Sequence, residues 1–511
     1  MRQYRHTLQS YIIILALCTI TISNIPIGYA SEMDTIPLTQ PDHRTFALQS
    51  IEKKLIHFSY PITPAYFRQN AARIEAENPY LDGITLSPGC CTMGLFDYTD
   101  WTTDPLYLNL EPLQNLDTGN LRYNFLVLPP FNDQTPRMSY WNDAQWEQIL
   151  RNVTSVSEAV RDAGLSGIVF DLEHYTQGGG ANPWDYAVMK EAPYTEAQTQ
   201  NKVRQRAAQV MEAMLAVKPD MIIFNTYMFE YLPKDWNLAD EWMNGWLDAL
   251  GPQAMMIDGR ETAYYWADSG KWFSSHRVEQ FVDPVNLSKF REQVQVSRGI
   301  YAELAYHLYD WGDYTPPFNK LQQALRWEHN VYMSLATADE FVWLYADRLR
   351  LPGMERTGTG NAARNPLGGD LTTIYAPPDD PQWNGDVHTR IAYAKAKYVN
   401  GDNLGWDIVG GDEANQPFNF SSSITAQITS PSYGQTFAAE DTITITVATT
   451  GDDIRKVEFY QNAQKVGEDT SAPYQYTLTR QGLGNHTLMA RAFSVNSERS
   501  TSGPVVIHIQ Q

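Results

Sequence analysis

The chain has 511 residues, more than one ordinary domain needs and enough for a large body with a small appendage. Lys and Arg number 38 against 59 Asp and Glu, a net charge of −21 that repels polyphosphates and anionic bilayers and argues against nucleic-acid partners. Hydrophobic residues at 43% and charged residues at 19% exclude a disordered chain, and an aromatic share of 12% suits flat, wet recognition surfaces.

Arg2 and Arg5 precede an apolar run over residues 11–22, and Gly28-Tyr29-Ala30 puts the small Gly28 and Ala30 where a signal peptidase reads. Residues 1–30 are therefore expected to be a cleaved leader, giving a secreted or periplasmic product. No later stretch approaches twenty consecutive apolar residues, so no integral span is expected after cleavage. Cys90 and Cys91 then remain, adjacent in sequence, so the fold cannot rest on a disulfide framework. Two buried thiols are the preferred reading, with a strained bridge between neighbours as the alternative.

From about residue 50 to 400, short apolar strands alternate with longer helical periods, the signature of a parallel sheet with crossover helices. Strands are expected at 54–60, 83–86, 121–128, 167–175, 221–227, 254–260, 301–309 and 340–347. Between the third and fourth, Trp146, Ile149, Val153, Val156 and Val160 form one helical stripe, opened by Asn142 and stopped at Gly164. The next helix begins at Thr195, carries Val203, Ala207, Val210, Met214 and Val217, and ends before Pro219. Eight strand-then-helix units predict an α/β fold, a (β/α)8 TIM-type barrel over residues 31–410, with an open doubly wound sheet as the alternative. In a barrel the chemistry lies at the C-terminal strand ends, where the long insertions 87–120, 261–299 and 348–386 fall.

After Gly410 a polar, Ser-rich linker is expected over 411–423, and residues 424–511 turn to period-two Thr, Val, Ile and Tyr. Strands near 425–429, 442–447, 456–460, 474–478, 486–493 and 505–509 predict a small all-β sandwich. With Ile-Thr-Ser-Pro at 428–431 and Val-Glu-Phe-Tyr at 457–460, it resembles the bacterial immunoglobulin-like modules appended to secreted carbohydrate-active enzymes. That resemblance implies a spacer or carbohydrate binder.

The stretch that carries chemistry is residues 166–175, Ser-Gly-Ile-Val-Phe-Asp-Leu-Glu-His-Tyr. Strand alternation puts Asp171 and Glu173 on one face, and the apolar run before them places both where the strand leaves the core. Two carboxylates sharing a partly desolvated mouth cannot both ionise cheaply, so one is expected to keep its proton and serve as a general acid. Glycoside cleavage needs such a pair: an acid for the departing oxygen, and a second carboxylate for the cationic centre or the attacking water. Neighbours on one strand flank a bond poorly, so Asp258 on strand six is the expected cross-barrel partner, with Glu230 behind it. Asn225 and Tyr227 on strand five, and Trp343, Tyr345 and Asp347 on strand eight, are the sugar-contacting candidates. Neither a metal site nor a cofactor is expected. No Gly-x-Ser-x-Gly, His-Glu-x-x-His, Gly-Lys-Ser/Thr or Cys-x-x-Cys pattern is present.

These residues resemble (β/α)8-barrel glycoside hydrolases, locally the chitinase type, whose fourth strand reads Asp-Gly-x-Asp-x-Asp-x-Glu. The resemblance implies that Glu173 is the acid, that Asp171 orients a substrate acetamido group, and that Trp343 floors the sugar subsite. Ser166 and Val169 stand where that pattern has aspartates, and Ile257 where it has tyrosine. The expected function is thus a secreted glycoside hydrolase acting on a poly- or oligosaccharide. A non-catalytic carbohydrate-binding or surface protein on a degenerate barrel is the alternative.

Overall fold

The computed structural model describes residues 53–59, 62–87, 94–101, 110–130, 137–173, 182–229, 236–274, 279–302, 320–346, 387–410, 418–421 and 423–511. The expected leader, Cys90 and Cys91, His174, Glu230 and Asp347 lie outside the described residues.

Nine strands form one curled, all-parallel sheet: β1 (Lys54–Ser59), β2 (Gly83–Leu86), β3 (Phe125–Val127), β4 (Gly167–Phe170), β5 (Ile222–Asn225), β6 (Met255–Asp258), β7 (Val294–Val296), β8 (Gly299–Tyr301) and β9 (Phe341–Ala346). Their lateral order is β7-β6-β5-β4-β3-β2-β1-β9-β8. β7 and β8 are two halves of one extended run, the first paired with β6 and the second with β9. The joint is tied on both sides, by Ser297 N–H to Asp258 O at 2.7 Å and by Trp343 N–H to Arg298 O at 3.1 Å. The run occupies one strand position and joins the two edges of the sheet, making a barrel. The seventh strand was expected at 301–309; it begins earlier, because Gln295, Ser297 and Arg298 interrupt the apolar pattern yet are buried in the run.

Parallel strands need crossovers, and helices supply them. Asn142 caps the Asp143–Asp162 helix through Gln145 N–H, and Gly164 follows with φ +68°, a left-handed stop. Thr195 and Gln198 close a capping box on the Glu196–Val217 helix. Alternation splits every strand in two. Leu55, Ile168, Phe170, Ile223, Met256, Val342 and Leu344 join the helices in the outer core. Ile56, Phe58, Phe125, Val169, Phe224, Ile257, Tyr301, Phe341 and Trp343 meet across the ring and fill it.

Gly299 marks a tight point of this filling, since a Cβ there would stand 2.7 Å from the Tyr264 ring and 2.9 Å from Trp343. Gly299→Ala is expected to cost about 1–3 kcal/mol through overpacking, measurable by denaturant unfolding of the full chain.

The second unit comprises two sheets, Thr425–Ser430, Ile443–Thr450 and Tyr474–Leu478 against a larger sheet built on Ile454–Gln461 and Gly484–Ser494. Their inner faces share Ile428, Ile445, Val457, Phe459, Leu488 and Ile507. Residues 418–421, within the expected linker, form a strand paired antiparallel with Asp407–Gly410. Among the described residues no helix is long and apolar enough to cross a membrane.

Candidate active site

The phase of alternation on β4 decides the site. Val169 points into the ring, so Asp171 and Glu173, one and two pleats beyond it, continue on the inner face at the C-terminal mouth. Asp171 is buried and Glu173 half-buried. Asp171 Oδ1 accepts from the Thr226 hydroxyl at 3.2 Å and from the Glu173 N–H at 3.0 Å. Both bonds hold this carboxylate in place.

A third carboxylate completes the group. After β6 the chain passes through Arg260 in the left-handed region, at φ 50°, and enters a 3-10 turn, Glu261–Tyr265. The Glu261 N–H donates to Thr226 O at 3.2 Å, the same residue whose hydroxyl holds Asp171. Burial, reinforced by the charges of Glu173 and then Asp171, pushes the Glu261 carboxyl well above the usual carboxylate range. The direction of this shift favours the protonated form of Glu261. The sequence placed the expected proton within the Asp171–Glu173 pair; Glu261 is a third carboxyl outside that expectation.

The walls are aromatic. Tyr264, in the same turn, packs its ring 5.1 Å from Tyr301, 5.2 Å from Trp343 and 5.9 Å from Tyr345. Burial first, then the charge of Glu261, pushes the Tyr264 phenol well above its ordinary range, so it remains a neutral donor beside the acids. Trp343 does point into the barrel, but it is 1% exposed and donates Nε1–H to Gly259 O at 2.6 Å, deep beneath the mouth. Tyr345, one pleat higher, is half-buried and presents more surface.

Other expected residues lie elsewhere. Ile257 faces the ring, so Asp258 falls on the outer phase, where Arg260 Nε meets its Oδ2 at 2.9 Å. The carboxylates that act on Glu261 are Glu173 and Asp171. Asn225 and Tyr227 share a face, as alternation requires, but it is the outer one: Phe224 and Thr226 take the inner phase. Asn225 is fully buried with Nδ2 donating to Ile257 O at 3.3 Å, and Tyr227 stacks along Trp236 at 6.4 Å. Glu261, Thr226 and Tyr264 were not singled out from sequence. The one available signal for Glu261 was an acid three residues beyond a strand-ending Asp. Among the described residues, no group of three or more His, Cys, Asp or Glu side chains is placed to hold a metal ion.

Residues 425–490 match the bacterial Ig domain family. No curated protein matches the chain. Among solved structures, similarity extends over 90% of this chain and 99% of the endo-β-1,4-mannanase from Thermotoga petrophila, at 10% identity and TM-score 0.38. β-Glucuronidase 2 from Bacteroides uniformis is matched over 90% of this chain and 46% of its own, at 10% identity and TM-score 0.33. The fibronectin(III)-like modules of CbhA from Clostridium thermocellum are 29% identical, covering 16% of this chain and 93% of theirs, with TM-score 0.16.

Proposed function

We propose that this chain is a secreted glycoside hydrolase in which Glu261 is the general acid and Glu173 the ionised carboxylate facing it. What carries the reading is the placement of a third carboxyl, Glu261, held through Thr226 beside Asp171, where the charges of Glu173 and Asp171 favour its protonated form. A glycosidase needs this division: a proton ready for the departing oxygen, and an anion for the oxocarbenium-like centre or the attacking water. Asp171, locked by Thr226 and by the Glu173 N–H, supplies a fixed negative charge beside both. Tyr345, half-buried and backed by the rings of Tyr264 and Tyr301, supplies ring surface suited to a sugar. Secretion rests on the leader pattern at residues 1–30.

The test is a panel of plant, algal and chitin-derived glycans incubated with the full chain, scored by new reducing ends. Cleavage of at least one glycan, abolished in Glu173→Gln and Glu261→Gln while binding persists, supports the reading. Binding without cleavage by the unaltered chain would establish the non-catalytic carbohydrate-binding alternative instead.

A further inference from the structure

We propose that the C-terminal immunoglobulin-like module positions the acid: it grips the Asp268–Phe273 segment that follows the Glu261 turn and so holds that turn at the barrel mouth. The inference rests on the assignment of Glu261 under the proposed function and goes beyond it by giving the module a catalytic consequence.

The turn needs support. A five-residue 3-10 turn is followed within four residues by the six-residue helix Ser269–Ser274, and neither is long enough to be stable alone. On the barrel side the turn is fixed by the Glu261 N–H to Thr226 O and by the ring contacts of Tyr264. Its C-terminal continuation packs against the module. Asp268 Oδ1 receives Arg499 Nη1 of the module at 2.5 Å, while its Oδ2 receives the N–H of Gly410, at the end of the barrel region, at 2.6 Å. Arg491, 2% exposed, donates to Ser269 Oγ at 2.6 Å while its guanidinium lies 4.8 Å from the Phe273 ring centre. Phe273 also meets Tyr460 at 4.7 Å. Tyr460 and Met489, both from the module, are counted into the outer core of the barrel itself.

Two further ties make the contact rigid. Asp407, on the strand leading out of the barrel, accepts from Thr501 at 2.8 Å and contacts His329 Nε2 at 3.1 Å, all three being buried. Gly503 approaches Gly401 so closely that a Cβ would stand 1.9 Å from its carbonyl oxygen. A tethered spacer or a freely moving carbohydrate binder would need none of this. A part-buried guanidinium–carboxylate bond and a buried guanidinium–hydroxyl bond demand one geometry, and Asp268 lies seven positions after Glu261.

Arg499→Ala removes the grip on Asp268, Arg499→Lys keeps its charge, and Ser269→Ala gives a milder second lesion should the first impair folding. Amide hydrogen exchange of the full chain is followed over residues 261–274, alongside kcat, KM and the pH profile on a glycan the unaltered chain cleaves. Glu261 is faced by Asp171 and Glu173 from the segment after β4 and by Tyr264 of its own turn, while Arg260 is engaged by Asp258. Loosening the turn should therefore hydrate Glu261 and move the alkaline limb to lower pH. The expected result for Arg499→Ala is exchange about tenfold faster across 261–266 and kcat about tenfold lower with little change in KM. Arg499→Lys is expected to recover most of both. Faster exchange confined to the module, with 261–266 and the alkaline limb unchanged, would overturn the proposal. If no glycan is cleaved, the hydrogen-exchange arm still decides the grip, and the hydrolase assignment fails separately.

Discussion

Glu261→Gln is expected to lower turnover of a natural glycan by about 10²–10⁴, the usual worth of a positioned general acid. The amide keeps the size of the side chain and most of its packing, so the loss reads the missing proton rather than a cavity. The effect depends on the leaving group. A departing sugar hydroxyl must be protonated as the bond breaks, whereas a nitrophenolate leaves unaided. The same variant should therefore lose far less on an activated aryl glycoside of the same sugar. A comparable loss on both substrates would show that Glu261 does not donate the proton. The pH profile gives a second reading. Activity requires protonated Glu261, so it should fall as pH rises through the raised value of that carboxyl, and this alkaline limb should be absent from the residual activity of the variant.

The same carboxyl makes a stability prediction with a definite sign. Its folded-state value is raised above that of an unfolded glutamate, so the folded protein holds the proton more tightly. Its contribution to stability is complete below the unfolded value, near 4.3, and is lost as pH rises through the folded one. Glu261→Gln does not titrate. The variant should match the unaltered chain in acid and become progressively the more stable as pH rises, until the folded-state value is passed. Thermal unfolding at several pH values measures this difference without any substrate.

Much of the scaffold was legible because its signals are local. Asn142, Thr195 and Gly164 bound two helices through hydrogen bonds and backbone angles that involve only near neighbours. The phase of the strands was harder. Barrel strands are buried on both faces, so both alternating sets are apolar and neither marks the inside. On β5, Ile223 against Ile222 and Phe224 gives no clue, and Asn225 and Tyr227 fell on the outer set. Beyond β4 the two acids gave a clue, although Asp258, buried on the outer phase against Arg260, shows that a carboxylate alone does not mark the inside. Glu261 escaped notice for a different reason. It lies beyond the left-handed Arg260, where alternation has ended, and only the folded ring brings it to residues 171 and 173.

Glu173→Gln completes the assignment, because the two carboxylates should fail differently. An ionised carboxylate that meets the cationic centre, or activates the attacking water, is needed whatever group departs. Its loss is expected to cut kcat/KM by about 10²–10⁴ on natural and activated substrates alike, roughly 3–5 kcal/mol of transition-state stabilisation. Removing its charge also takes away the first of the two carboxylates that help Glu261 keep its proton. The alkaline limb of the residual activity should therefore move to lower pH, opposite to what loss of a positively charged neighbour would do. Asp171 remains, so the limb should shift rather than vanish. An unshifted limb would mean that Glu173 and Glu261 do not sense one another. A loss seen only with the natural glycan would instead make Glu173 the proton donor and leave Glu261 as the group facing it.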